Sequence, residues 1–384
     1  MSLPHHPEVD RDWMRRAIAL AWRAQGRVAP NPAVGAVLVR DGMVVGEGCT
    51  QPPGGPHAEV VALEQAGEQA RGATLYVTLE PCAHYGRTPP CVDAVIRAGV
   101  GRVVVAVTDP YPDVAGRGIE RLRAAGIPVS VGVEAVAAAA VNSGYFKRLR
   151  TGLPEVTLKY AMTLDGQIAT RAGHSRWITG PEARRYAHQL RDRHDAIMVG
   201  VGTVLADDPE LTTRIDPADA GDGGPHHPLR VVLDSRARTP PTARVLRHDL
   251  PGRTLIVTTE AASPERVREL RRAGAEVVVA PQHCGRVDLR AALQFLSERG
   301  VNRVLVEGGG RLLGAFFDAR LADAVVAFIA PVLVGGADAL APLAGRGVET
   351  MAEAVRLLDV QIRHFGSDLV VEGRLVPVEL PGGP

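Results

Sequence analysis

The feature that most restricts this sequence is an alternation of short β-branched runs with helical patterns, interrupted once near the middle. Runs such as Thr74–Leu79 and Val103–Val107 are short and rich in valine, and amphipathic stretches separate them. Strands that alternate with helices lead to layered α/β folds with parallel sheets. The series breaks at Thr151-Gly152-Leu153-Pro154, which places a boundary between residues 1–150 and 151–384. A chain of 384 residues is long for one hydrophobic core, in keeping with two domains.

In the first half the spacing predicts a helix over Val9–Ala24, stopped by Gly26. Strands at Val34–Val39 and Met43–Gly46 flank Arg40-Asp41-Gly42, and an Asp-Gly pair in that position signals a hairpin. Helices follow at His57–Gly67, Cys91–Ala98 and Gly118–Ala125, with strands at Thr74–Leu79, Val103–Val107 and Val129–Val133 between and after them. One helix then runs from Ala135 toward Arg150. In the second half strands are expected at Val156–Tyr160, Ala196–Gly200, Arg230–Asp234, Thr254–Thr258, Glu276–Ala280, Arg303–Glu307 and Ala324–Ile329. Helices are expected at Pro181–His194, Pro264–Ala273, Val287–Arg299 and Arg311–Asp318, and Asp216–Pro228 reads as a surface loop.

Composition removes several classes of function. Lys+Arg total 44 against 43 Asp+Glu, so the formal net charge is +1, and only 4% of residues are aromatic. A nucleic-acid binder shows a basic excess and base-stacking aromatics, so no nucleic-acid partner is expected. Four cysteines in so long a chain form no disulfide framework and suit a reducing compartment. No run of about 18 apolar residues is present, so no membrane partner is expected. The segment Met1–Trp13 lacks the apolar centre of a secretory signal, and a cytoplasmic location is the expectation.

Chemistry concentrates at two places. The first is His57-Ala58-Glu59, followed by Pro81-Cys82 and then Cys91. One imidazole and two thiolates form a three-ligand set for zinc that leaves a fourth position open to water, the arrangement of a catalytic site. Zinc lowers the pKa of bound water to about 7, and Glu59, two residues from His57, is placed to shuttle protons. This is the logic of zinc deaminases, with H-x-E ahead of a Pro-Cys pair. Thr88-Pro89-Pro90 puts Cys91 at a helix start, whose positive end favours a thiolate. The two cysteines lie nine residues apart rather than the three common in such sites, and the insert holds His84, a rival ligand. Taken singly, each of these residues is as well explained by burial or capping; the joint pattern favours the metal. Cys49 and Cys284 have no such context and read as inert thiols.

The second is Glu307-Gly308-Gly309-Gly310-Arg311-Leu312-Leu313-Gly314-Ala315, a strand end, a glycine turn and a helix start. Glycines and free N–H groups there can take a phosphate, although a tight βα turn explains the pattern equally well. Arg191 and Arg214 are candidates for a sugar phosphate, because a guanidinium matches its oxygens. The plainer reading puts Arg191 on the solvated face of an Arg-rich helix. Trp177 either stacks on a cofactor or fills core.

Pro81-Cys82-Ala83-His84-Tyr85-Gly86-Arg87-Thr88-Pro89-Pro90-Cys91 resembles the zinc segment of the bifunctional riboflavin-biosynthesis deaminase/reductase family. Asn31-Pro32-Ala33-Val34-Gly35 and the stretch Asp109–Gly118 match two further family motifs, and Lys159–Gly166, Ser175–Thr179, Ala206–Arg214, Val231–Ser235 and Glu307–Gly310 match its second half. The resemblance spans about Ala29 to Leu375. It implies a cytidine-deaminase-like α/β/α domain followed by a dihydrofolate-reductase-like α/β domain. The first would remove an amine from a phosphoribosylated diaminopyrimidine; the second would use NADPH to reduce ribosyl to ribityl. By this resemblance Zn2+ is bound by His57, Cys82 and Cys91, Glu59 carries protons and Asn31 holds the pyrimidine. NADPH would meet Ala161, Trp177, Thr203, Asp207, Ser235 and the turn Gly309, Gly310, Arg311, Leu312, Leu313, Gly314 and Ala315. The substrate would meet Lys159, Ser175, Arg191, Leu211, Arg214 and Glu307. Tyr111 stands where the family commonly has Asn, and Cys49-Thr50 where it has Tyr-His, both expected near the first pocket. Reductase domains of this family also imply a homo-oligomer. Two rivals remain: a nucleic-acid deaminase with an accessory domain, and a zinc-stabilised nucleotide-binding protein in which His84 closes the metal shell.

Overall fold

The computed structural model describes residues 7–86, 88–221 and 223–380. Arg87, within the segment between the two cysteines, lies outside the described residues. Contacts divide the chain into two compact units, one running to Thr151 and including the segment from Val378, the other Gly152–Pro377.

The first unit contains α1 (Pro7–Ala24), β1 (Gly35–Arg40), β2 (Met43–Cys49), α2 (Ala58–Ala66), β3 (Thr74–Val77), α3 (Cys91–Arg97), β4 (Arg102–Val105), α4 (Arg117–Ala124), β5 (Val129–Val131), α5 (Ala135–Val141) and α6 (Ser143–Thr151). Its sheet runs β2-β1-β3-β4-β5, antiparallel through β1 and parallel from β3 to β5. The hairpin turn between β1 and β2 has Asp41 at φ 52° and Gly42 at φ 75°. Two positive φ values are what a two-residue hairpin turn requires, which is why Asp-Gly marks it. A Cβ on Gly35 would run into the carbonyl oxygen of Ala17, so glycine lets α1 lie directly on the start of β1. The helix expected to run from Ala135 toward Arg150 is two helices. Between them the Asn142 amide reaches across to Ala33, accepting its N–H and donating to its carbonyl, each at 2.9 Å.

The second unit contains β6 (Glu155–Thr163), α7 (Pro181–Asp192), β7 (Ala196–Gly200), α8 (Val201–Asp207), β8 (Leu229–Leu233), β9 (Thr254–Thr258), α9 (Pro264–Arg272), β10 (Glu276–Val279), a small ribbon of β11 (Gln282–His283) and β12 (Arg286–Val287), α10 (Leu289–Glu298), β13 (Arg303–Val306), α11 (Gly310–Asp318), β14 (Ala324–Ala330), β15 (Leu358–Phe365) and β16 (Asp368–Arg374). Its nine-stranded sheet runs β10-β9-β8-β7-β13-β6-β14-β16-β15. Strands β10 through β14 are parallel neighbours; β16 and β15 close one edge antiparallel. Central strands are buried on both faces: Val304 and Val306 join one cluster, Leu305 another. That explains their continuous apolar runs.

The chain leaves β7 through α8 toward β8, and leaves neighbouring β13 through α11 toward β14. The two connections diverge, so a crevice opens at the carboxyl ends of these strands, the place where ligands bind in open α/β sheets. The sequence reading did not anticipate α8, β15 or β16. Every residue of β15 but Phe365 is exposed, so its residues show no inward-outward alternation. No helix of the described residues is long and apolar enough to cross a membrane.

Candidate functional site

In the first unit three elements bring their ends together. His57 is the N-cap of α2, Cys82 follows β3 by a short turn, and Cys91 is the first residue of α3. The His57 Nδ1 atom lies 3.2 Å from Cys91 Sγ and 3.6 Å from Cys82 Sγ. The three donor atoms all fall within 4.8 Å of one another, and among the described residues they form the only such cluster. One nitrogen and two sulfurs at that spacing suit a tetrahedral, thiolate-preferring ion such as zinc. His84, the rival ligand, stands apart from the cluster. Its ring lies against Tyr111, centroids 5.7 Å apart, and its Nδ1 is buried without a hydrogen-bond partner.

The start of α3 acts differently from expectation. The Cys91 N–H points at the Cys82 sulfur, at 3.3 Å, rather than serving its own side chain. Hydrogen bonding from the Cys91 thiol, with help from His57 and this N–H, pulls the Cys82 thiol down to about 4. The same thiol–thiol bond, together with burial, pushes Cys91 up. Glu59 sits in the first turn of α2 and is 3% exposed. Burial, then the charge of Cys82, raises its carboxyl to about 7.

Around this centre two residues that the sequence reading overlooked hold the backbone in place. Asn142 pins the loop carrying Asn31-Pro32-Ala33. Glu80, 4% exposed, accepts four backbone N–H groups: Asp109 at 3.2 Å and Gly116 at 3.0 Å on one oxygen, Gly118 at 2.9 Å and Ile119 at 3.2 Å on the other. It therefore ties the start of α4 and the Asp109–Gly118 stretch to the residues just before Cys82, with the negative charge on the favourable end of the helix. A Cβ on Gly118 would collide with the Pro81 carbonyl, which explains the glycine. The Asp109 carboxylate accepts the Tyr111 N–H at 2.9 Å and the Tyr145 hydroxyl at 3.3 Å, and burial pushes it up to about 6. Thr50 is a structural clip, its Oγ1 accepting the Val34 N–H at 3.1 Å; Cys49 is buried beside it.

In the second unit most residues singled out from sequence fall into three contacting groups: Lys159, Arg191, Glu307 and, through Thr212, Arg214; Thr203 with the Gly308–Gly309 turn; and Ser175 with Asp207. Arg191 is not on a solvated helix face. Its guanidinium grips Glu307, just beyond β13, with Nε to Oε1 at 3.1 Å and Nη2 to Oε2 at 2.8 Å, and Nη1 donates to the Thr212 carbonyl at 3.0 Å. Burial raises Glu307, but Arg191 and Lys159 outweigh it and hold the carboxyl at about 2. Burial pushes Lys159, on β6, downward against the opposing pull of Glu307; its Nζ lies 5.0 Å from the Phe328 ring centre. Arg214 keeps a side chain that is 54% exposed, with Nη1 donating to Thr212 Oγ1 at 3.1 Å. Leu211 is buried, its backbone at φ 56°.

The glycine turn and α8 meet. The Gly309 N–H donates to Thr203 Oγ1 at 3.2 Å, and a Cβ on Gly308 would collide with that hydroxyl. No side chain caps α11, so N–H groups of its first turn suit an anion. Within α11, Leu313 is fully buried in the core, and Gly310 and Gly314 lie against Ala341 and Ala344–Gly345, where a Cβ would not fit. Backbone groups at the start of this helix and the exposed Arg311 side chain are thus what a ligand near Gly309–Leu312 can meet. Trp177 is 71% exposed with the Arg184 guanidinium 4.6 Å over its ring, so it is not core. Asp207 ends α8, bonded through its carbonyl to Arg176, with Ser175 Oγ 3.5 Å from its carboxylate. Ala161 lies on β6, and Ser235, just past β8, accepts the Val287 N–H at 3.0 Å.

Both halves of the chain match known protein families. Residues 7–107 match the family model for the cytidine and deoxycytidylate deaminase zinc-binding region, and residues 154–371 match the RibD C-terminal domain. The chain is 42% identical over 364 residues to riboflavin biosynthesis protein RibD of Aquifex aeolicus, covering 95% of this chain and 98% of that one. It is 44% identical over 369 residues to the Escherichia coli protein of the same name, covering 94% and 98%. Among solved structures, Acinetobacter baumannii RibD superposes with a TM-score of 0.84 at 39% identity, covering 96% of this chain and 99% of that one. A Thermotoga maritima diaminohydroxyphosphoribosylaminopyrimidine deaminase/5-amino-6-(5-phosphoribosylamino)uracil reductase gives 0.83 at 36% identity, covering 96% and 99%.

Proposed function

Because the chain belongs to the RibD family of riboflavin biosynthesis proteins, we propose that it acts twice on one phosphoribosylated diaminopyrimidine, first deaminating the ring and then reducing the ribosyl side chain to ribityl. The observation that carries this reading is the convergence of His57, Cys82 and Cys91 beside the buried Glu59.

For the first step His57, Cys82 and Cys91 hold zinc. When bound there, the metal supplies the Lewis acidity that brings water within reach of deprotonation near neutral pH. Glu59 takes one proton as a water oxygen adds to the ring carbon and passes it to the ring nitrogen; it then takes the second proton from the added hydroxyl and passes it to the departing amine as the C=O bond forms. The C–N bond is exchanged for a C–O bond and ammonia leaves. Asn31 orients the pyrimidine from the loop that Asn142 clips.

For the second step NADPH supplies the hydride. The chain's task is alignment and charge placement. Ala161, Trp177, Thr203, Asp207, Ser235 and the backbone from Gly309 line the cofactor side. Lys159, Ser175, Leu211, Arg214 and Glu307 line the substrate side, with Arg191 fixing the Glu307 carboxylate. Both forks of Arg191 are engaged by Glu307 and Thr212, so we assign the substrate phosphate to the half-exposed Arg214 guanidinium, whose Nη1 pairs with Glu210 at 3.4 Å and with Thr212 Oγ1 at 3.1 Å. Hydride adds to the ribose carbon bonded to nitrogen in the opened, imine form, the C=N π electrons move to nitrogen, and nitrogen takes a proton.

A net charge of +1 and 4% aromatic residues support a small-molecule substrate over a nucleic acid. We read the chain as a cytoplasmic homo-oligomer; the exposed Val360 and Ile362 of edge strand β15 support self-association. Purified protein given the diaminopyrimidine substrate and NADPH should release ammonia and form the ribityl product. Absence of ammonia would refute the first activity, and absence of the reduced product the second.

A further inference from the structure

Helix α7 does more in the second site than present Arg191. One turn before Arg191 on the same face stands His188, and both reach the same segment. The Arg191 Nη1 donates to the Thr212 carbonyl at 3.0 Å; the His188 Nδ1 accepts the Arg214 N–H at 3.3 Å. The segment Leu211–Arg214 is therefore held at two backbone points from one rigid helix. Leu211, Thr212 and Thr213 are buried, and the Arg214 side chain emerges beyond them half exposed. Its guanidinium meets Glu210 at 3.4 Å and Thr212 Oγ1 at 3.1 Å through Nη1, and whether it keeps those contacts depends on where its own backbone is fixed.

We propose that His188 is a positioning residue for the phosphate end of the reductase substrate: it fixes the Arg214 backbone so that the guanidinium is already oriented when the phosphate arrives. This rests on the reading of Arg214 given above. An acceptor is needed for the role, and the surroundings keep the ring one. Burial, then the positive charges of Arg191 and Arg214, hold its pKa down to about 3, so the ring is neutral at working pH. A neutral ring that accepts at Nδ1 carries its proton on Nε2. A protonated ring would present a donor to the Arg214 N–H and add another positive charge beside Arg191, Arg214 and Lys159. Orientation before binding lowers the entropy lost on binding, so its loss is felt in affinity for the phosphate rather than in hydride transfer.

The test compares His188→Leu, His188→Asn and Arg214→Gln in the full-length protein. The asparagine places an amide oxygen near the position of Nδ1. NADPH oxidation is followed with the deaminated substrate and with its phosphate-free form. For His188→Leu, KM for the phosphorylated substrate should rise about tenfold, the scale of one lost hydrogen bond. Its KM for NADPH, its kcat and its KM for the phosphate-free form should stay near wild type. His188→Asn should recover to within about threefold of wild type. The inference is overturned if His188→Leu keeps a wild-type KM, if His188→Asn is as impaired as His188→Leu, or if both substrates and NADPH are affected alike, which marks a merely structural role. Arg214→Gln separates the two levels. Normal binding in Arg214→Gln refutes the reading of Arg214 and the inference with it. A loss in Arg214→Gln without one in His188→Leu refutes the positioning role alone.

Discussion

The two sites solve different problems with different amounts of the chain. In the first unit three donor atoms within 4.8 Å, supplied by residues 57, 82 and 91, define the chemistry, and one buried carboxylate completes it. In the second unit the candidate groups come from β6, the Ser175–Trp177 segment, α7, α8, the Leu211–Arg214 segment, the ends of β8 and β13 and the start of α11, and among the described residues none of them forms a metal-ligand cluster. A metal centre demands particular atoms at particular distances. Hydride transfer demands that two large ligands lie in register, which many modest contacts can achieve. The first site should therefore fail abruptly with single substitutions, and the second should respond in graded fashion through binding and fold stability.

The largest effect expected is at Glu59. Glu59→Gln should cut deamination by about 10²- to 10⁴-fold, the range for a lost general acid–base group, while zinc content and NADPH oxidation with supplied deaminated substrate stay unchanged. Metal analysis beside the two rate assays checks this, and a parallel fall in both rates would break the contrast. Second comes Arg191→Ala, which leaves the Glu307 carboxylate buried beside Lys159 without its bidentate partner. Removing one partner of a buried pair costs about 3–5 kcal/mol, so urea unfolding should shift by that order, with deamination in the folded protein preserved. Glu80→Gln should be milder, because one oxygen can still accept two of the four N–H groups. About 1.5–3 kcal/mol should be lost from the first unit, and kcat/KM for deamination should fall without loss of zinc.

The smallest effect per unit of perturbation, here one pH unit, is a pH dependence in the second unit. His194 is buried, with Nδ1–H donating to the Leu190 carbonyl at 2.6 Å and Nε2 3.3 Å from the Thr157 hydroxyl. Burial, then the charge of Arg303, lowers its pKa from 6.5 to about 3. Below 6.5 the unfolded chain binds a proton that the folded chain does not, so stability falls as the pH falls. This one group contributes a slope of about 1.4 kcal/mol per pH unit until the pH reaches the folded value. Hydrogen exchange of β6 and β13 amides, corrected for intrinsic rates, should show it, and His194→Gln should flatten the trend.

The contrast also sets what could be read in advance. His57, Cys82 and Cys91 were legible because few side chains ligate zinc and their spacing is short. The βα alternation was legible because parallel strands buried on both faces carry unbroken apolar runs, as in Val304–Val306. Glu80, Asn142 and His188 were not, because their partners are backbone groups that only the fold brings near; a glutamate next to Pro81-Cys82 gives no local sign of the four N–H groups it accepts. Arg191 looked solvated because three arginines share its helix and Arg193 follows it, and partners distant in sequence, Thr212 and Glu307, distinguish it. Strand β15 escaped because an exposed edge strand has no buried face to alternate; β16, between β14 and β15, does alternate at its start, with Asp368 and Val370 buried, and the sequence reading passed over that sign. The Phe365-Gly366 turn, with Gly366 at φ 60°, was a further clue.

The central claim is that the two chemistries share a chain and not a mechanism. Its most direct test is to strip the metal from the purified full-length protein with a chelator, supply the deaminated substrate and NADPH, and follow NADPH oxidation. The account predicts that ammonia release from the diaminopyrimidine is abolished and restored by added zinc, while NADPH oxidation proceeds at the rate of the untreated protein. Loss of NADPH oxidation together with the metal, and its return with zinc, would contradict it.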